Sequence, residues 1–405
     1  MRNFILTLSG IVLALTLVTS SDLAQSNPPV ISPTREAARK ELGQLYVEYS
    51  ADSFVKQAAE GDTIAVKLFL AAGMNANALS KEGRTALISA ALSRQLETIQ
   101  ALLAGGADVN FKGGDENTAL IAASGAGYID VLKVLLDKGA DLEAQDSSGA
   151  TALMRAASGR HINVLQTLLD RGANVNARDK SGTYTALLNA LPNDDAVRLL
   201  LDRGADPNVA NREGKTALAL MSEAGRASTV TLLLNKSAAM NTKDQNGSTP
   251  LSLAIARNQT ETAKILLDRG ADVNLGNNYG ITPLMDTASR GLTDGVKALL
   301  DKGANANAKD NQGRTALMLA TSNNHTETVK TLLSRSADAN IADNNGYTPL
   351  MSAVQHGNTD IMKALLDKGA DVNAKDKNGG TALRTATNMN RPDIVQLLIS
   401  AGAKQ

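Results

Sequence analysis

The chain has no cysteine and no tryptophan, and aromatic residues are only 2% of its 405 positions. Without cysteine there are no disulfides, no zinc–thiolate centres and no thiol nucleophiles. A lipoprotein-type lipid anchor is excluded as well, whereas the redox compartment stays open. With so few aromatics the core must be built from Leu, Ala, Ile, Val and Met, which suits thin, closely stacked helix pairs better than one large globular centre. Charge of either sign is also missing in excess: 41 Lys and Arg balance 41 Asp and Glu, with no run of five like charges. A nucleic-acid binder would carry a basic stripe and an acidic tail would form a block; neither is present, so no nucleic-acid partner is expected.

Catalytic signatures are absent too. There is no GxxxxGK[ST] phosphate loop, no GxSxG elbow and no HExxH helix. Of the three histidines, His161 and His325 each stand ten residues after a recurring Thr, five repeats apart, so they cannot share a metal. Asp194-Asp195 are adjacent in a turn and read as solvated charge. No catalytic, cofactor-binding or metal-ligating residue is expected, and the chain is not read as an enzyme.

The first 24 residues stand apart. MRNFILTLSGIVLALTLVTSSDLA has one basic residue, Arg2, an apolar run from Phe4 to Val18, then small residues, the pattern of a cleaved secretory signal. Cleavage after Ser20 and cleavage after Ala24 both fit. The alternative, an uncleaved membrane anchor, is disfavoured because the apolar run is short of the roughly 20 residues a spanning helix needs. The mature protein is therefore expected to be exported, periplasmic or secreted, without a membrane span. Residues 25–33 form a flexible proline-containing link, and 34–51 a separate N-terminal helix.

From there a single unit recurs. Thr followed by Ala or Pro and then Leu begins at Thr85, Thr118, Thr151, Thr185, Thr216, Thr249, Thr282, Thr315, Thr348 and Thr381. The spacing is 33 residues, except 34 before Thr185 and 31 after it. A Leu pair follows most of them, as at Leu135-Leu136 and Leu299-Leu300, and then Gly-Ala, as at Gly139-Ala140 and Gly303-Ala304. Each Thr is a good N-cap, and Pro250, Pro283 and Pro349 fall at the first helical position, where a missing N–H is harmless. The second helix ends at Gly, which accepts a left-handed backbone. A Lys or Arg just before it complements the helix dipole, and an Asp-x-x-Gly finger follows. Ser237 and Ser336 replace that Gly in two units, so both serines are expected at positive φ.

This 33-residue unit of a β-turn and two helices resembles the ankyrin-repeat family, and the resemblance covers residues 52–405. It implies an all-α ankyrin-repeat solenoid, running as one elongated body, of stacked helix–turn–helix units with β-turn fingers: an N-terminal cap unit over 52–78, with Asp52 capping as Thr does, and ten further repeats over 79–405. The sequence departs from the family's TPLH motif at every His, which becomes Ile88, Ile121, Met154, Leu188, Ala219, Ser252, Met285, Met318, Met351 and Arg384; packing is expected to replace the hydrogen bonds of that His. The unit at Thr185 is irregular, with an extra finger residue at Gly182-Thr183-Tyr184 and a helix connection shortened at Leu191–Asp195.

The resemblance also implies a protein–protein interaction scaffold, itself monomeric, that binds an unidentified protein on the concave face made by fingers and inner helices. Stacking makes equivalent positions in consecutive repeats neighbours. Ile281, Arg314 and Tyr347 fall at one finger position in three consecutive repeats, with Tyr279 beside them. Tyr and Arg dominate interface energetics, so these four and Tyr184 are the candidate partner-binding residues. The trio is expected to point off the turn and to be dispensable for folding. A structural spacer or spring in a cell-envelope assembly is the alternative function.

Overall fold

A computed structural model describes residues 33–404; the candidate signal segment lies outside the described residues. Among these residues there are 23 helices and no strand, apart from one isolated bridge between Ala210 and Thr216. After an N-terminal helix, Pro33–Gln44, the helices come as eleven pairs, from Ala51–Glu60 with Thr63–Ala71 to Ala382–Asn388 with Pro392–Ser400. None of the paired helices exceeds ten residues, so each would be marginal in isolation, and stability must come from stacking. The chain divides into two compact units, one ending at Ala190 and the other starting at Leu191.

All ten threonines cap as expected. Each side-chain oxygen accepts the backbone N–H three residues on, at 3.2 Å for Thr85 to Ile88 and 3.3 Å for Thr282 to Met285, for example. The three prolines occupy the first helical turn. The residues replacing the family His are buried where apolar, from Met154 and Met285 at 1% exposure to Leu188 at 8%, and Arg384 in the last repeat is exposed. The cap unit corrects one expectation. Ser50, not Asp52, caps the first helix by accepting from Ser53, while Asp52 accepts from Lys81 N at 2.7 Å. The N-terminal helix also ends earlier than expected, because Tyr46 takes a left-handed backbone and turns the chain. Three of the protein's ten aromatics gather there: Phe69 lies 5.3 Å from Phe54 and 5.7 Å from Tyr49, and Arg39 covers the Tyr49 ring.

Three polar ladders join neighbouring repeats. The first uses an asparagine just after the second helix. In the second unit Asn208, Asn241, Asn274, Asn307, Asn340 and Asn373 each accept a backbone N–H 31 residues on. Asn77, Asn110 and Glu143 do the same in the first unit. Each such bond satisfies one backbone N–H of the following repeat. The second ladder runs along the ends of the outer helices. Arg171 and Lys302, which also sit where a cation complements the dipole of their own helix, and Arg335 each reach back to the Asp ending the previous outer helix, Asp137, Asp268 and Asp301, at 2.9, 3.0 and 2.6 Å.

The third ladder alternates. Gln95, His161, Gln259 and His325 each hydrogen-bond a carbonyl 36 residues earlier, at the end of the preceding inner helix. Each side chain lies against a glycine of that repeat, Gly61, Gly127, Gly225 and Gly291, where a Cβ would collide with it. The intervening repeats place Arg94, Arg160, Asn258 and Asn324 at the glycine position, all at positive φ. Repeats thus clasp in pairs through this position, and His161 and His325 are structural clasps.

Ser237 and Ser336 have φ of 61° and 67°, as the repeat register requires. The irregular unit also follows the sequence: its finger closes from Asp179 N to Tyr184 O, one residue wider than Asp146 N to Ala150 O, and its inner helix, Ala186–Ala190, has only five residues.

Candidate functional site

Each finger is a turn organised by one acceptor. In the second unit Asp244, Asn277, Asp310 and Asp343 use Oδ1 to accept backbone N–H groups two and four residues on. This is a side chain imitating a backbone turn, and it places Ser248, Ile281, Arg314 and Tyr347 at one equivalent position. Backbone bonds then tie finger to finger, from Gln245 N to Glu213 O, Asn278 N to Asn246 O, Asn311 N to Tyr279 O and Asn344 N to Gln312 O. A parallel side-chain ladder reinforces them: the amides of Gln245, Asn278, Asn311 and Asn344 donate to the carbonyls of Arg212, Gln245, Asn278 and Asn311 at 2.7 to 3.0 Å. The tips of residues 245–347 are therefore a preorganised, almost uncharged row.

The candidate binding residues differ in how free they are. Tyr279 is 71% exposed, and none of its side-chain atoms is needed for the ladder, which uses its carbonyl. Tyr184 is 46% exposed but belongs to the first unit. Ile281 is half-buried. The expectation that the trio points off the turn fails for the other two. Arg314 folds back on its own finger, Nε and Nη2 both 2.8 Å from Asp310 Oδ2, and it neutralises a carboxylate whose side chain is 1% exposed. Tyr347 donates to Gln355 Oε1 at 2.7 Å and Met351 O at 3.3 Å, and burial raises its phenol pKa, helped by Asp376 and Asp343. Both are half-open to solvent and half structural.

Residues the sequence did not single out complete the face. The fourth residue after each capping Thr lines the groove between fingers and inner helices: Arg155 sits there in the first unit and grips Asp146 of its own finger. Burial raises the Asp146 pKa, yet hydrogen bonds from Ser148 and Arg155 outweigh it and leave the carboxyl below its usual range. Together with Leu92, Asp115, Asn117 and Gly125 these residues border a shallow cavity of about 380 Å³. In the second unit the same position holds Leu220, Leu253, Asp286, Leu319, Ser352 and Thr385. Lys215, at the finger position of Ile281, turns inward to Glu223 at 2.7 Å, which also binds Arg257 at 2.8 Å; these partners lower the Glu223 pKa and raise that of Lys215. Among the described residues no group of His, Asp and Glu is placed to hold a metal ion, and no helix is long and apolar enough to cross a membrane.

Comparison with known proteins agrees with this architecture. The family description "Ankyrin repeats (3 copies)" matches residues 48–113, 95–179, 184–277, 270–343 and 335–405. Among solved structures, an ankyrin repeat domain from Acinetobacter baumannii AYE is similar, with 31% identity over 46% of this chain and 98% of that domain, at a TM-score of 0.45. No curated protein matches. With family matches spanning nearly all of residues 48–405, the chain belongs to the ankyrin-repeat family.

Proposed function

We propose that this protein is an exported scaffold that binds a protein partner through the fingers and inner helices of residues 245–355. The observation that carries the reading is the almost uncharged finger row, held by its own hydrogen bonds while Tyr279 stands 71% exposed upon it. A rigid row loses little conformational entropy on binding. Amide and phenol groups desolvate more cheaply than charges, and an exposed tyrosine on such a platform is a hot-spot type. The repeat scaffold is specified by residues that recur, whereas Tyr279, Ile281, Arg314 and Tyr347 differ from finger to finger, as selective recognition requires.

The test is crosslinking capture from a cell-envelope fraction with the mature chain and its Tyr279→Ala variant. We expect specific capture weakened by more than about 2 kcal/mol in the variant, with an unchanged melting temperature. Undiminished capture removes Tyr279 from the site. Failure to capture any protein favours a spacer element in an envelope assembly.

A further inference from the structure

Asp286 breaks the pattern of its surroundings. It is the fourth residue past the capping Thr282, and the repeats on either side place Leu253 and Leu319 there. Its side chain retains 27% exposure. The position faces the groove between fingers and inner helices, as its equivalent Arg155 shows by gripping finger residue Asp146. Asp286 Oδ1 accepts a hydrogen bond only from Arg290 Nε, at 3.2 Å, with Nη2 also 3.2 Å away as an ion-pair contact, and Arg290 spends Nη1 on Ala256 O at 2.7 Å. The other carboxylate oxygen is buried with no partner; among the described residues it is the one carboxylate oxygen in that state. Burial outweighs the pull of Arg290 and raises the Asp286 pKa.

A carboxylate in this setting is unfavourable for folding, because it loses hydration and recovers only a long contact to one guanidinium. Leucine at the same place in both neighbouring repeats shows that the fold does not need it. Groups held at such expense cluster at functional sites. The fingers above carry no free cation to satisfy it, since Arg314 is committed to Asp310.

Resting on the reading of this face as a protein-binding surface, we propose that Asp286 receives an arginine or lysine side chain from the partner. The incoming cation donates to Asp286 Oδ1 alongside Arg290, and its aliphatic stem lies along the apolar ground of Leu253 and Leu319. The groove thus selects a segment that presents one basic residue flanked by apolar ones, and rejects an acidic one by like-charge repulsion.

The test needs no knowledge of the partner. The full mature chain is titrated with Nα-acetyl-arginine amide, and backbone amide resonances of residues 282–290 are followed. A saturable shift is expected in the millimolar range, at least tenfold weaker in Asp286→Asn and absent with Nα-acetyl-norleucine amide. No shift with the arginine probe, an unchanged titration in Asp286→Asn, or an equal response to norleucine overturns the proposal. A second arm compares denaturant midpoints: Asp286→Leu should unfold at higher denaturant than the natural chain, and a lower midpoint contradicts the argument that the carboxylate is held against stability. If a captured partner binds Asp286→Asn as well as the natural chain, the scaffold reading survives and this assignment falls. If nothing is captured while the arginine probe still binds, the scaffold reading falls and the cation site stands.

Discussion

The fingers near 81–84, 115–117 and 180 in the first unit and those from 245 to 347 in the second are made by the same turn but present different chemistry. In the first unit the tips carry Lys81, Glu82, Arg84, Asp115, Glu116 and Lys180, and Lys180 meets Glu116 at 3.0 Å. In the second unit the tips from 245 to 347 carry Gln, Asn, Ser, Tyr and Ile with Arg314 as the one cation, itself paired with Asp310, and their amides donate to the carbonyls of the preceding finger. Exposed ion pairs contribute little to stability and are screened by salt, and desolvating them against a partner is costly. An amide row keeps its geometry without charge. One scaffold therefore serves two surfaces: a hydrated, charged one, and one that a partner can dry out.

Breaking the finger anchors should give the largest effect. Asp310→Ala removes a buried acceptor from the N–H groups of Gln312 and Arg314 and strands the guanidinium, so we expect a loss of roughly 2–3 kcal/mol in denaturant melts. Arg314→Ala leaves the Asp310 carboxylate without its cation and should cost about 1–2 kcal/mol, discounted because the arginine is 38% exposed. The matching change in the first unit's tip ion pair, Glu116→Ala, should stay within about 0.5 kcal/mol. Equal losses at Asp310 and Glu116 would erase the distinction between anchored and hydrated fingers.

A smaller effect tests the repeat register. Ser237 and Ser336 hold a left-handed backbone where Gly303 stands in the intervening register, and nothing lies within 4 Å of a Cβ built at Gly303. The penalty at the serines is thus backbone conformation rather than crowding. Ser237→Gly and Ser336→Gly should each stabilise by roughly 0.5–1 kcal/mol, the release of strain being partly offset by the greater freedom of glycine in the unfolded chain. Denaturant midpoints that fall in both variants would contradict it.

The pH dependence of Asp286 sharpens the comparison between scaffold and site. Its folded pKa is raised, so the carboxylate opposes folding above that value, and the penalty vanishes as pH falls to the ordinary aspartate range. Asp286→Asn should therefore be more stable than the natural chain at neutral pH, with a gain that shrinks on acidification. Glu223 behaves oppositely: its pKa is lowered by Lys215 and Arg257, so its contribution is present at neutral pH and lost as pH falls through the folded value. A gain in Asp286→Asn that grows on acidification would reverse the assignment.

The repeats were legible because their signals are local: a capping Thr, a Leu pair and a left-handed Gly recur within one unit, and each fixes a boundary without reference to neighbours. The two serines at the glycine position could be placed at positive φ for the same reason. What joins one repeat to the next was not legible. The asparagine ladder spans 31 residues and the outer-helix cations reach back 34, so Asn307 looks like turn polarity and Lys302 like a dipole partner until the stack is built. Finger rotamers were equally hidden. Arg314 and Asp310 are four apart in an irregular segment, where no helical rule brings them together, and Tyr347 bends to Gln355 in the helix that follows it. Tyr279 was found because a tyrosine in a turn has no burial to explain it. Asp286 was missed because a carboxylate on a short helix is ordinary until its two leucine neighbours and its unpaired oxygen are seen.

Amide hydrogen exchange on the chain with and without its captured partner tests the central claim most directly. The account predicts added protection at fingers 277–281 and 310–314 and at the inner helix 283–289, with the charged fingers 80–84 and 114–117 unchanged. Protection confined to those charged fingers, or to the outer helices, would contradict it.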